Sequence, residues 1–222
     1  TGEAATYGTD IKNSIEFANQ QIAGGKYRLI AEDDKCSGKD AATVAHKLTE
    51  IDKVSGVLGF GCSGALLAAA PIYERAKTVV IDAGGSAPAI SQAGDYIFRT
   101  VPSDTISASV LYAYTSSRHR TFGVLAEETD YAQALASAFA AQNTGKKLAL
   151  VRESYLAGTS DFRSLIVRLR GKKIDGLFVI TQAEQTLAVI VRQIREQSWT
   201  VPLYAIYWPS SPAFLSALGL QA

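Results

Sequence analysis

The sequence contains no methionine, and it has only two cysteines, two histidines and two tryptophans. Two cysteines are too few for a disulfide-rich scaffold or a cysteine-rich zinc site. The longest Ala/Leu run, residues 65–70, ends at Pro71, so no apolar stretch approaches the length that spans a bilayer. Lysine plus arginine (22) and aspartate plus glutamate (21) nearly cancel, which leaves no basic excess for holding a nucleic acid by counterion release. We therefore expect a soluble globular protein that binds no nucleic acid.

The first residues show neither an initiator methionine nor the pattern of a signal peptide. From this we expect that the chain is processed or trimmed, or that methionines have been dropped from the written sequence.

The chain is rich in alternating helical and strand-like apolar patterns, and 47% of its residues are hydrophobic. The strand-like segments are residues 27–31, 54–60, 78–81, 96–98, 121–126, 148–151 and 176–180. Strands that are apolar on both faces and that alternate with helices predict an α/β fold, with mostly parallel sheets covered by helices on both faces. A strand running towards Pro102, followed by Ser103 or Asp104 as a helix cap, predicts a boundary between two lobes, residues 1–103 and 104–222.

One glycine motif stands out, since residues 59–64 read G-F-G-C-S-G between a predicted strand and a predicted helix. Gly59, Gly61 and Gly64 match the dinucleotide-binding pattern, and Asp82 ends the next strand, near the spacing at which such folds hold a ribose. The same glycines also suit a tight strand-to-helix turn without any ligand. Either way, the free N–H groups at the start of a helix favour a small anion, and Ser63 adds a hydroxyl there. The motif alone leaves phosphate and carboxylate open.

The next strand is followed by a second small-residue loop. Gly84 and Gly85 allow a ligand to approach the backbone closely, and Ser86 offers a donor and an acceptor. Two such loops in succession favour a site at the carboxyl ends of the strands, where open α/β sheets bind ligands.

Catalytic and metal-binding patterns are weak. His46 falls within a helical pattern, and His119, in Arg118-His119-Arg120, is interpreted as part of a solvated turn. The pairs Asp33-Asp34 and Lys146-Lys147 are interpreted as loop capping and solvated surface. We expect no metal, no cofactor and no enzymatic activity.

The chain resembles the branched-chain amino-acid binding proteins of ABC uptake systems, which are type I periplasmic binding proteins. The resemblance rests on the order and spacing of short stretches along nearly the whole chain: Thr1-Gly2, Tyr7-Gly8, Gly24-Gly25, Asp33-Asp34-Lys35-Cys36, Gly61-Cys62-Ser63-Gly64, Ala69-Ala70-Pro71-Ile72, Phe98-Arg99-Thr100, Pro102-Ser103-Asp104, Asp130-Tyr131 and Asp161-Phe162.

This resemblance implies two hinged lobes that close on a small ligand, and a disulfide between Cys36 and Cys62. Such a bond contributes roughly 3 kcal/mol in the chain-entropy model and implies an oxidising compartment, either periplasmic or extracellular. It also implies a ligand-binding set. Ser63 and Gly64 would hold a carboxylate, Gly84, Gly85 and Ser86 would form a second loop, Tyr7 would line the entrance, and the far lobe would contribute Tyr131, Gln182, Glu184 and Trp208.

The sequence departs from the family at three points. No acid for a ligand ammonium occurs around residues 204–211, where Tyr207-Trp208-Pro209 stands instead, although Glu184 could serve. The family's opening strand is absent, and so are the later segments that return to the first lobe, which indicates a truncated or incomplete chain whose isolated monomer would expose apolar sheet.

The expected function is that of a solute-binding protein that delivers a small carboxylate, an amino acid or an aromatic acid, to an ABC permease in the membrane. Two alternatives remain: an NAD(P)-dependent oxidoreductase that uses residues 59–64, and a cytoplasmic ligand sensor of the same fold. A free Cys62 would favour the oxidoreductase, and a Cys36–Cys62 bridge would favour the binding protein.

Overall fold

The computed structural model describes residues 4–219, so the Thr1-Gly2 stretch of the resemblance lies outside the described residues. The chain divides into two compact units, residues 1–103 and 104–222. The α-helices are α1 (Ala5–Gln21), α2 (Gly38–His46), α3 (Ser63–Ala76), α4 (Asp104–Thr115), α5 (Asp130–Ala141), α6 (Arg163–Gly171), α7 (Glu184–Glu196) and α8 (Pro212–Ala217). The strands are β1 (Gly56–Gly59), β2 (Val79–Asp82), β3 (Ile97–Arg99), β4 (Thr121–Glu127), β5 (Ala149–Tyr155), β6 (Gly176–Ile180) and β7 (Leu203–Tyr204). A π-helical turn (Lys47–Ile51) and two 3₁₀ turns (Pro88–Gln92 and Trp208–Ser210) complete the assignment.

The first unit is built on a parallel sheet of order β1-β2-β3, in which Gly59 pairs with Asp82 and Asp82 with Arg99. The small residues of α3 let α2 approach it closely, and a Cβ added at Gly38 would lie 3.1 Å from the Cβ of Ala68. The register brings the carboxyl ends of all three strands to one edge.

One face of this first sheet carries exposed apolar side chains among the described residues. Leu58 is 55% exposed, Ile81 39% and Phe98 54%, and the three are register partners across β1, β2 and β3. We call these three residues the open sheet face. The other face contributes Val80 and Ile97 to the buried core.

The second unit has a parallel sheet of order β5-β4-β6-β7 that is covered on both faces. Phe122, Val124 and Ala126 of β4 pack with α4 and α5, whereas Leu125 packs with α6 and α7. Because β6 is buried along its whole length, its continuous apolar run Gly176–Ile180 is the pattern that a central parallel strand requires. The predicted α/β class with parallel sheets and flanking helices is confirmed.

Two local expectations are wrong. Residues 27–31 form no strand, because no described residue pairs with them; the Asn19 side chain instead donates to the Tyr27 carbonyl and accepts from its N–H. His119 is not solvated but 8% exposed, and its Nε2 lies 2.7 Å from the Tyr204 hydroxyl.

None of the helices within residues 4–219 combines the length and the apolar character that a membrane-spanning helix needs.

Candidate functional site

The turn from β1 to α3 leaves unpaired donors at the start of a helix. Gly59 has φ +140° and Phe60 has φ +61°, which turns the chain sharply before α3 begins at Ser63. The first helical hydrogen bond runs from the Leu66 N–H to the Cys62 carbonyl. Among the described residues no acceptor is recorded for the N–H groups of Gly64 or Ala65, as expected for a first turn without a side-chain cap. These N–H groups and the helix dipole favour an anion at this end.

The Ser63 hydroxyl joins this turn to the loop that follows β2. Its oxygen accepts from the N–H of Ser86 at 3.2 Å and from the N–H of Ala87 at 3.1 Å. A hydroxyl oxygen has two lone pairs and one proton, so both acceptor positions are occupied and the proton remains as a donor. No acceptor for that proton is recorded within residues 4–219, and Ser63 is 2% exposed. The side chain is therefore oriented to donate.

Asp82, at the end of β2, holds the first half of the same loop. Its Oδ1 accepts from the N–H of Gly84 at 3.1 Å and from the N–H of Gly85 at 2.9 Å, while its buried Oδ2 has no hydrogen-bond partner. Burial raises the pKa of Asp82 to about 6, although the hydrogen bonds from Gly85 and Gly84 and the charge of Arg99 act in the opposite direction. Together, Asp82 and Ser63 take up every N–H of residues 84–87.

The outer side of the loop is fixed by a cation and an aromatic ring. Arg99 donates through Nη1 to the carbonyls of Ser86 at 3.3 Å and Ala87 at 2.9 Å. Tyr7 of α1 lies against the two glycine turns, since a Cβ added at Gly84 would lie 2.6 Å from its ring and one at Gly61 would lie 3.2 Å from it. Gly84 thus makes room for the protein's own tyrosine.

Gly85 has a similar role. An added Cβ there would lie 2.6 Å from Oδ2 of Asp82 and 2.7 Å from Cδ1 of Ile90. In the first unit the structure therefore brings together five of the residues predicted for the site: Tyr7, Ser63, Gly84, Gly85 and Ser86. A sixth, Gly64, follows Ser63 in α3.

A disulfide connects Cys36 to Cys62, which confirms the predicted pairing. Cys62 precedes the first residue of α3, and Cys36 lies in a loop where the Asp33 and Asp34 carboxylates accept from the N–H groups of Lys35 and Cys36. The bond therefore anchors the start of α3 to the loop before α2.

In the second unit, the buried side chains of Tyr131 and Asp104 lie near the exposed Tyr207. Tyr131 is 7% exposed, and its pKa is raised well above the usual range, chiefly by burial and then by the nearby Asp104 and Tyr207. Asp104 is fully buried and accepts from the Tyr207 hydroxyl at 3.2 Å. Tyr207 has φ +70°, and the N–H of Trp208 donates to the Ile206 carbonyl, so a strained γ-turn holds this tyrosine in place.

The remaining predicted residues follow β6 and β7. The N–H of Gln182 donates to Oε2 of Glu127 at 2.7 Å, and the indole N–H of Trp208 donates to the Thr181 carbonyl at 3.0 Å. Glu184 is 8% exposed and its Oε2 accepts from the Ser211 hydroxyl, so its carboxylate is already engaged.

Sequence reasoning missed Asp104, Glu127 and Arg99 as contributors. The sequence predicts Asp104 only as a helix cap, while Arg99 stands only within a family stretch and Tyr207 only where an acid is missing. A polar residue directly at the carboxyl end of a strand is the signal that could have identified two of them, Arg99 and Glu127.

The contacts of residues 59–64 do not favour a dinucleotide site. Cys62 is in a disulfide, and Asp82 is fully buried with its Oδ1 accepting from the backbone of its own loop. Within residues 4–219, no three His, Cys, Asp or Glu side chains are grouped so that they could hold a metal ion.

Comparisons with known proteins identify the family of the chain. The family model described as "Periplasmic binding protein" matches residues 1–222. An amino acid binding protein of Pseudomonas aeruginosa is 29% identical over 211 residues, which cover 90% of this chain and 56% of that protein. The chain thus spans about half the length of the curated relatives it matches.

Two solved structures show the same fold. A leucine binding protein from Thermotoga maritima superposes with a TM-score of 0.90 at 23% identity, covering 99% of this chain and 64% of that one. A solute binding protein of an ABC transporter from Rhodopseudomonas palustris, in complex with 3,4-dihydroxy benzoic acid, gives a TM-score of 0.80 at 23% identity over 92% of this chain and 58% of that one. The chain therefore belongs to the periplasmic binding protein family, which confirms its resemblance to the type I members that bind branched-chain amino acids.

Proposed function

We propose that this chain is part of an extracytoplasmic solute-binding protein of an ABC uptake system, and that its ligand is a small carboxylate, either an amino acid or an aromatic acid. The observation that carries the proposal is the Ser63 hydroxyl, whose acceptor positions are filled by the backbone of residues 86 and 87. A group that can only donate selects an acceptor as its partner. A carboxylate oxygen is such an acceptor.

The seat that we propose for the carboxylate combines Ser63 with the start of α3. One ligand oxygen would accept from the Ser63 hydroxyl, and the N–H groups of Gly64 and Ala65 would donate to the carboxylate together with the helix dipole. The loop N–H groups of residues 84–87 take no part because Asp82 and Ser63 already hold them. A contact from that loop would come from the Ser86 side chain.

The second unit would supply the groups that select the rest of the ligand. Tyr131, Gln182, Glu184 and Trp208 are the residues proposed from the resemblance, and the geometry adds Tyr207 because a strained turn holds it. Glu184 accepts from Ser211 through Oε2 alone, and a carboxylate has further acceptor positions. Glu184 is therefore compatible with a ligand ammonium, and both ligand classes are tested.

The proposed cycle follows from hinge closure. The ligand would bind between the two units, closure would exclude water from the carboxylate seat, and the closed form would be presented to a permease. The Cys36–Cys62 bond supports a periplasmic or extracellular location, because such bonds persist in oxidising compartments. It also disfavours the cytoplasmic sensor.

Thermal-shift and calorimetric titrations test the proposal. The panel pairs each carboxylate with an analogue that lacks it: leucine with leucinol, and benzoate with benzyl alcohol. A carboxylate ligand stabilises the protein by mass action, and its alcohol does not. If no carboxylate shifts the melting temperature of folded protein, or if the alcohols bind equally well, the proposal is wrong.

A pair of variants then tests the seat itself. Ser63→Ala removes one charge-assisted hydrogen bond, so affinity for the best ligand should fall by roughly 10- to 100-fold. Ser55→Ala, at an exposed position before β1, is the matched control and should leave affinity unchanged. Binding is measured well below the melting temperature, since Ser63→Ala also removes the acceptor for two loop N–H groups. Equal affinity in the two variants would refute the role given to Ser63.

A further inference from the structure

A polar cavity lies in the second unit, at the end of the sheet where β4 and β5 begin. Its volume is about 440 Å³, and it is lined by Ser116, Ser117, Arg118, His119, Arg120 and Lys147. Arg120 directly precedes β4 and Lys147 stands just before β5, and the register pairs Thr121 with Ala149. Glu127 and Tyr131 lie at the other end of these strands, so this basic cavity is separate from the candidate ligand site.

Arg118 is held in place before any ligand arrives. Its guanidinium carbon lies 3.7 Å from the centre of the Tyr114 ring. Its Nη1 donates to the Tyr114 carbonyl at 2.8 Å and to the Ser117 hydroxyl at 3.2 Å. The N–H groups on Nε and Nη2 remain as donors, in the planar arrangement that suits an oxyanion.

His119 forms the wall of the cavity. Its Nε2 lies 2.7 Å from the Tyr204 hydroxyl, and its Nδ1 lies 3.5 Å from Asp175. Asp175 itself accepts from the N–H groups of Arg120 and Thr121. The imidazole and the carboxylate therefore fix the start of β4, and among the described residues no ion pair between Asp175 and an arginine or lysine side chain is recorded.

The charge of the cavity is unbalanced. Arg118, Arg120 and Lys147 line it, no acidic residue does, and no ion pair for these three cations is recorded in the part of the chain that the structure describes. Their mutual repulsion falls when an anion with more than one negative charge sits among them. The serine hydroxyls add neutral donors.

We propose that the basic cavity binds a phosphate group carried by a larger molecule, either a soluble phosphorylated metabolite or a lipid headgroup. Charge-assisted bonds from two guanidinium groups and one ammonium group match the charge and the acceptors of a phosphate monoester. The volume is in the range of small-molecule sites and exceeds what a bare phosphate fills. This inference is independent of the carboxylate ligand proposed above.

The first experiment measures phosphate binding by calorimetry, with pyrophosphate and glycerol 3-phosphate as the soluble probes. Sedimentation with phosphatidylcholine vesicles, with and without phosphatidic acid, tests the lipid source. Binding to a soluble probe identifies a metabolite as the source, and binding only to vesicles that contain phosphatidic acid identifies a headgroup. If the folded wild-type protein binds none of these probes, the proposal is overturned.

The second experiment locates the site with charge-matched variants. The double variant Arg120→Gln/Lys147→Gln should lose at least roughly tenfold in affinity, because two charge-assisted contacts disappear. The control double variant Lys39→Gln/Arg75→Gln removes the same charges from exposed positions in the first unit and should bind like the wild type. Equal losses in both double variants would show a general charge effect and overturn the site.

A third variant separates geometry from charge. Arg118→Lys keeps the positive charge but removes the planar donor group and its stacking on Tyr114, so affinity should fall while the melting temperature stays near that of the wild type. Unchanged affinity would contradict the role given to the preorganised guanidinium.

Discussion

Replacing Asp82 with asparagine should change how the stability of the protein depends on pH. Asp82 is fully buried at the end of β2, and burial raises its pKa from 3.8 to about 6. A raised carboxyl pKa means that the folded state prefers the protonated form. The stabilisation from this preference is complete below pH 3.8 and is lost as the pH rises through about 6.

The size of the effect follows from the shift. About two pKa units at 1.36 kcal/mol each correspond to about 3 kcal/mol across this window, to order of magnitude. Asparagine keeps an acceptor for the N–H groups of Gly84 and Gly85 and has no charge to bury. Its amide nitrogen would occupy the place of the unpartnered Oδ2, at a cost of about 1–3 kcal/mol that does not vary with pH. Relative to the wild type, Asp82→Asn should therefore gain about 3 kcal/mol between pH 3.5 and pH 7.

Urea unfolding of both proteins at several pH values, followed by far-UV circular dichroism, measures this difference. Tryptophan fluorescence is a useful second probe, because Trp199 and Trp208 both lie in the second unit and should report little of the change. Asp10→Asn, at an exposed position on α1, controls for the loss of one charge. A difference between Asp82→Asn and the wild type that stays constant from pH 3.5 to pH 7 would refute the account of Asp82.

Two further substitutions test the packing of the first unit. The double variant Cys36→Ser/Cys62→Ser opens a loop with a sequence separation of 26 residues. The free energy of unfolding should fall by about 3.5 kcal/mol in the chain-entropy model. A fall of less than about 1 kcal/mol, measured by urea unfolding, would contradict this expectation. Gly84→Ala places a methyl group 2.6 Å from the Tyr7 ring and should destabilise by about 1–3 kcal/mol. The control Gly8→Ala lies in α1 with nothing within 4 Å of the added carbon, so it should stabilise the protein slightly. Equal melting temperatures for the two alanine variants would show that the Tyr7 ring moves aside without cost.

Apolar continuity was enough to predict the central strands. The run Gly176–Ile180 is buried on both sides, so its sequence carries the whole signal for β6. Edge strands carry less of it. β5 extends to Tyr155 through Arg152, Glu153 and Ser154, and its polar, partly exposed stretch hides the second half of the strand. The segment 27–31 shows the opposite error, because strand-like residues form no strand without a partner to pair with.

The sequence predicted that residues of the first unit would lie close together, but not how their hydrogen bonds connect them. Strand ends and glycine turns placed Ser63 and Ser86 at one edge of the sheet, since parallel strands end together. The pattern could not show that Asp82 and Ser63 would take up the loop N–H groups, because hydrogen-bond partners far apart in sequence depend on the folded geometry. The disulfide came from the family resemblance, as spacing alone does not define a pairing.

The hydrogen bonds that hold the loop after β2 have a consequence for which substitutions the loop tolerates. The N–H groups of residues 84–87 all donate to Asp82 or Ser63, and Arg99 donates two hydrogen bonds to the carbonyls of residues 86 and 87. The conformation of this loop is thus held by hydrogen bonds to neighbouring residues and needs no bound ligand. In the proposed site, a substitution at position 86 would change a side chain beside the ligand, while the hydrogen bonds recorded for the backbone of residue 86 would remain available.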